Sequence, residues 1–399
     1  LIQGTRQQKT SAPPVLPDGL TWETSTTANL GLDFGVLKGR LRFAGDIYTR
    51  KTKDMFAVGI DLPATFGATA PKGNYADMKT NGWEMTLSWR NDHTLAGKPF
   101  SYDVRVTLAD YVSKITKYTN PEKELGAYWD ARANYYEGMT IGEIWGYVTE
   151  GFFTSDEDVA NHASQRLYFA SNSGKWLPGD IKFRDLNNDG VIDYGTNKVN
   201  DPGDRKVIGN TTPRYTYGIN LGVNWSNIFI SGFFQGVGKQ DWWPGTDNAL
   251  FWGQYNRPYN NIPKSMLGNI WTVDNPDAYF PRYRGYVALQ SSRELAVTQT
   301  RYLQNVAYIR LKNLQVGYNL PRHIASSIRM QNARVYMSAE NLWGWSPLYK
   351  ITKNFDFGSI YGTDIEQAQS VPSSGIANGS QVYNYPILKS VSFGVSVTF

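Results

Sequence analysis

The stretch DLNNDGVID sets oxygen-bearing side chains at alternate positions. Asp185, Asn187 and Asp189 fall at positions 1, 3 and 5 of an EF-hand-like loop, Gly190 at 6, the Val191 carbonyl at 7 and Asp193 at 9. Hard oxygen donors at this spacing suit Ca²⁺, and the glycine permits the sharp turn. Position 12 is Thr196, so the bidentate glutamate is missing or is replaced by Asp201 or Asp204. The same residues also spell an Asx-rich turn that needs no metal. Both readings stand at this point. The first makes Asp185, Asn187, Asp189, Val191 and Asp193 the ligands of a structural Ca²⁺.

A second concentration lies in QDWWPGTDNALFWGQYNRPYNN, with Trp242, Trp243, Trp252, Tyr255 and Tyr259. Aromatic faces stack on sugar rings or peptide side chains, or touch a lid. The competing reading is that they pack the loop itself. Other chemistry is thinly represented. His93, His162 and His323 fall in separate connections without ligand spacing, and Cys is absent, which removes thiolate catalysis, disulfides and cysteine metal sites. G-x-S-x-G, Walker A and H-E-x-x-H are absent, and GVGKQD lacks the third glycine of a dinucleotide loop. The chain reads as a non-enzyme without an organic cofactor.

The elements that position these residues are strands. Leu30, Leu32, Phe34 and Val36 alternate with Gly31, Asp33 and Gly35, and Trp83, Met85, Leu87 and Trp89 with Glu84, Thr86 and Ser88. Tyr217, Ile219, Leu221, Val223 and Trp225 alternate with Gly218, Asn220, Gly222 and Asn224. Phe393, Val395, Val397 and Phe399 alternate with Gly394, Ser396 and Thr398. This is the period of strands with one apolar and one polar face. Aromatics cluster near strand ends, with Trp83, Trp89 and Trp225 as girdle residues, and aliphatics lie between them. The pattern fits a transmembrane antiparallel β-barrel. Aromatic content of 14% with 38 Gly supports an all-β chain, and no apolar run is long enough for a membrane helix. The net charge of +5 is spread through interleaved residues, so it gives no nucleic-acid footprint.

Nine strands are expected, near 22–36, 40–50, 75–90, 100–113, 213–225, 228–238, 301–320, 333–342 and 385–399. Joins after the first, third, fifth and seventh are short, and the others are long, above all 114–212 and 239–300. A membrane barrel has reason to alternate in this way and a sandwich has none. IFISGFFQG carries apolar residues on both faces, and YIRLKNLQVGYNL changes phase near Lys312–Asn313, as a bulge would. Single-chain barrels generally have even strand numbers. Residues 1–399 are therefore read as the C-terminal part of a larger barrel, with the early strands outside this sequence. Leu1 follows no secretory leader, which suggests a mature or truncated product.

Several segments resemble one family. LTWETSTTANLGLDFGVLKGRLRFAGDIYTRKTKDM, GDIKFRDLNNDGVID, DRKVIGNTTPRYTYGINLGVNW, NVAYIRLKNLQVGYNLP, AENLWGWSPLYK and YPILKSVSFGVSVTF are similar, in order, to barrel segments of SusC/RagA-type TonB-dependent transporters. The resemblance implies a plugged barrel of ~22 strands. It implies an outer-membrane, multi-pass location with a periplasmic C-terminus. It also implies a SusD-like surface lipoprotein as lid, a dimer of transporter–lipoprotein pairs, and energy from the TonB complex. The plug and the TonB-contacting segment would lie in a missing N-terminal region. The function implied is active import of an oligosaccharide or peptide. The alternatives are a passive porin or adhesin barrel and a soluble all-β carbohydrate-binding protein.

Overall fold

A computed structural model describes residues 19–59, 71–126, 134–165, 175–246, 248–257, 259–289, 294–327, 329–360 and 387–399. Nine strands form one sheet in which the strands stand in chain order: β1 Thr24–Val36, β2 Leu41–Val58, β3 Lys72–Leu95, β4 Lys98–Lys117, β5 Arg214–Trp225, β6 Ile228–Lys239, β7 Tyr308–Asn319, β8 Asn332–Trp345 and β9 Ser390–Thr398. Every pairing is antiparallel. The expected strands are all present, with shifted ends. β7 begins at Tyr308 rather than near 301, because Tyr302 and Val306 are drawn into the core of a loop. The stretch 385–386 of the ninth expected strand lies outside the described residues.

Register explains the two faces. One cross-strand row reads Val36, Leu41, Trp89, Val104, Leu221, Gly232, Leu314, Ala339 and Val391. The adjacent row toward the long loops reads Phe34, Phe43, Leu87, Val106, Ile219, Phe234, Leu311 and Trp343. Most large side chains of this face reach solvent, Trp343 at 50% and Val391 at 52% in these rows and Phe393 at 81% beside them, while the small Ala339 is covered. The opposite face carries, in one row, Gly35, Arg42, Ser88, Arg105, Asn220, Phe233, Asn313, Glu340 and Ser390.

The apolar rows stay continuous because extra residues absorb the phase change. Lys312 is unpaired against β6, and Asn341, at φ 52°, is the extra residue of β8. Each is a bulge that restores inward–outward alternation after a slip. The apolar residues on the polar face of β6 also find a place. Phe229 lies over Gly317 and Phe233 beside Gly218, and a Cβ at Gly317 would run into the Phe229 ring.

Short joins gather at one end of the sheet. Ala96 and Gly97, both at positive φ, close β3 onto β4 in two residues, as a type I′ hairpin turn requires. Ser226–Asn227 joins β5 to β6, and residues 320–331, with the helix Arg322–Ser327, join β7 to β8. The long connections rise from the other end.

Candidate functional site: the loop platform

The long connections pack on one another. Three long connections contribute to one buried cluster: Tyr147 and Phe183 from the first, Trp252, Phe280 and Tyr302 from the second, and Leu348 from the third. Local chemistry shapes its centre. Asn248 Oδ1 accepts from Phe251 N and caps the turn Ala249–Trp252, and Gly253, at φ 50°, ends it. Trp252 Nε1 donates to Gly245 O at 2.6 Å, and Tyr255 Oη to Pro281 O at 2.6 Å. The Trp252 ring sits edge-on to Tyr302 at 5.1 Å, and Phe280 stacks on Tyr302 at 5.9 Å.

Of the two readings of the aromatic stretch, loop packing describes four of its residues: Trp242, Trp243, Trp252 and Tyr255 are buried. The tips of Trp252 and Tyr255 find backbone carbonyls within the loops, which is the ordinary condition of buried Trp and Tyr. Tyr259, 80% exposed, is the member of the set that faces solvent.

A buried ion pair ties two loops together. Arg284 donates to both oxygens of Asp180, Nε to Oδ1 at 2.7 Å and Nη2 to Oδ2 at 2.6 Å. Leu177 N also donates to Asp180. Burial pushes the Asp180 carboxyl above the usual carboxylate range, against the pull of Arg284. Arg301 lies over the Phe152 ring at 4.1 Å. Nothing in local spacing signals these residues, since Asp180 and Arg284 stand 104 positions apart.

The aspartate turn is held by its own backbone. Asp185 accepts from Asn188 N at 2.6 Å and Gly190 N at 2.9 Å. Asn187 Oδ1 accepts from Asp189 N, Asp189 Oδ1 from Val191 N, and Asp193 Oδ1 from Gly195 N. Asp204 is fully buried and accepts from Leu186 N at 2.7 Å and Asp193 N at 2.8 Å, so it clamps both flanks of the turn. Burial raises its carboxyl, and the nearby Asp185 charge adds to this. Among the described residues no three His, Cys, Asp or Glu side chains are placed to hold a metal ion. The turn is thus closed by amides of its own backbone. The histidines are also separate. His162 Nε2 meets Phe183 O at 2.8 Å, His93 packs 4.9 Å from Phe100, and His323 lies in the helix Arg322–Ser327.

A chain-order antiparallel sheet with one exposed apolar face and its long loops massed at one end has the build of a membrane-barrel wall. No helix among the described residues is long and apolar enough to cross a membrane. No family model matches the chain. Solved structures share its fold. The RagAB peptide importer in the open-open state gives a TM-score of 0.62 at 20% identity over 95% of this chain and 35% of that one. The RagAB peptide transporter gives 0.60 at 22% over 82% and 32%. Among curated relatives, TonB-dependent receptor P3 of Formosa agariphila is 27% identical over 391 residues, 96% of this chain and 35% of the relative. TonB-dependent receptor SusC of Bacteroides thetaiotaomicron is 23% identical over 343 residues, 85% of this chain and 30% of the relative. The chain is thus similar, over nearly its whole length, to SusC/RagA-type TonB-dependent transporters, and it spans about a third of the length of the curated relatives it matches. Those relatives are receptors and transporters rather than enzymes.

Proposed function

We propose that this chain forms part of the outer-membrane wall of an active importer for a large hydrophilic nutrient, an oligosaccharide or a peptide. The observation that carries this is the pair of exposed apolar rows running across the sheet, with the folded loop platform at one end only. Tyr217 to Trp225 spans roughly 26 Å along the strand at the usual rise per residue. At the usual tilt of ~40° it covers ~20 Å along the membrane normal, most of the ~25 Å apolar band of an outer-membrane barrel. In this reading residues 1–399 occupy the C-terminal barrel portion, and the plug and TonB-contacting segment belong to the rest of the full-length protein. A SusD-like lipoprotein rests on the platform, and TonB supplies the energy.

Purification of the full-length protein in mild detergent tests the partnership. Co-purification of a surface lipoprotein, as a dimer of barrel–lipoprotein pairs, is expected, and consistent isolation of the barrel alone would count against it. Calcium at Asp185–Asp193 is a separate proposal. Calorimetric titration of the full-length protein should show binding that D185A/D189A abolishes, and a silent titration removes the ion from the account.

A further inference from the structure

Above the apolar rows, the same face of the sheet turns basic. Lys51 pairs across the ladder with Lys79, and Lys79 with Lys114. Three lysines therefore stand side by side on neighbouring strands, ~5 Å from one strand to the next. Side-chain contacts locate the face. Thr80 and Ser113 meet on the polar side at 2.8 Å, so their chain neighbours Lys79 and Lys114 point the other way. Thr49 and Asn81, two residues nearer the apolar rows than Lys51 and Lys79, meet on that other side at 2.9 Å. Lys53 extends the group toward the loops and is exposed, as are Lys51 and Lys114.

Like charges directly opposite in a ladder are destabilising. Among the described residues none of the three central lysines forms an ion pair with a carboxylate. The nearby acids are occupied: Asp110 by Arg214, and Asp77 by the amide of Asp54. The row lies ~13 Å along the strands beyond Ile47 and Trp83, where the apolar surface ends. With strands tilted as in outer-membrane barrels, that is ~10 Å farther along the membrane normal, at the outer edge of the headgroup layer, from which long lysine side chains reach back to headgroup phosphates.

We propose that Lys51, Lys79 and Lys114 bind the phosphate groups of an anionic glycolipid headgroup in the membrane leaflet at the loop end of the sheet. This rests on the wall reading above. Its physical content is charge complementarity: a phosphorylated headgroup supplies the negative charge that the row lacks and offers oxygens to several ammonium groups at once.

The test uses the full-length protein, purified from outer membranes and titrated with phosphorylated lipid A, dephosphorylated lipid A and inorganic phosphate under native mass spectrometry. Phosphorylated lipid A should bind the wild type, weakening roughly five-fold for each lysine removed in K51A, K79A and K114A at low salt. Lys38→Ala and Lys264→Ala, away from the row, should leave it unchanged. Heat-modifiable migration of each variant confirms a folded barrel. Equal retention of lipid A by the folded triple variant would overturn the proposal. So would equal binding of dephosphorylated lipid A, or displacement of lipid A by equimolar inorganic phosphate. Failure of the wild type to reach the outer membrane would instead overturn the wall reading itself.

Discussion

Trp252 is fully buried in the loop cluster, and its ring packs on Trp243, Phe251 and Tyr302. Trp252→Ala should cost ~3–5 kcal/mol of platform stability. Limited proteolysis of the full-length protein should then open the loops while the sheet keeps its heat-modifiable migration, and Tyr259→Ala should leave both unchanged. Asp180 is the polar counterpart. Removing it leaves Arg284 buried without its carboxylate, a change worth ~3–5 kcal/mol. Asp180→Ala should therefore loosen the platform about as much as the tryptophan change does, by the same protease assay. These residues are only partly legible in the sequence. The density of Trp and Tyr in one loop is visible, but whether they point inward depends on Tyr302, Phe280 and Leu348, which no local pattern connects to them. The aspartate turn is legible as a turn, because Asx side chains bond amides two or three residues on. The clamp by Asp204 is not, since its partners follow from the path of the chain between Asp193 and Asp204.

Strands are the most legible elements, because alternation over a long run matches the two-residue repeat of a strand and conflicts with the 3.6-residue repeat of a helix. The turn between β3 and β4 is shorter than the sequence pattern suggests, for a physical reason. Residues 91–95 are polar or mixed, so the alternation fades, yet the ladder continues to Leu95↔Lys98, with His93 packed across it on Phe100. The phase change at Lys312 is visible as a break in alternation, and it is a bulge. The matching extra residue of β8 is hidden because Val335, Met337, Ala339, Trp343 and Trp345 keep an even spacing across Asn341. Faces can be tested directly. Leu221→Arg, at the middle of the β5 apolar run, should cost ~2–4 kcal/mol in the membrane-inserted protein, and Ser231→Arg on the polar face should be milder. Urea unfolding in lipid vesicles measures both, and equal effects would mean the faces are wrongly assigned. Gly317→Val should impair assembly of the sheet, since the added side chain meets the Phe229 ring, and a reduced folded fraction on refolding into vesicles would show it.

At the scale of the molecule, the sheet is polarised in two ways. Its short turns lie at one end and its folded loops at the other, and its apolar face carries the basic row at the loop end. A wall with these properties has one stable orientation in an outer membrane. Outer-membrane barrels have short periplasmic turns and long extracellular loops, so the platform should face outward. The absence of native cysteine makes this measurable by single-cysteine labelling of this part of the protein. Tyr259→Cys and Val273→Cys, at positions 80% and 83% exposed on the platform, should react with a membrane-impermeant maleimide on intact cells. Lys38→Cys in the β1–β2 turn should react only after the outer membrane is permeabilised. A bound lipoprotein would shield Tyr259 or Val273, so the labelling is repeated in cells lacking that lipoprotein, and the difference maps the contact. Labelling of Lys38→Cys on intact cells, with the platform positions protected in both strains, would reverse the orientation. It would also move the basic row to the periplasmic leaflet.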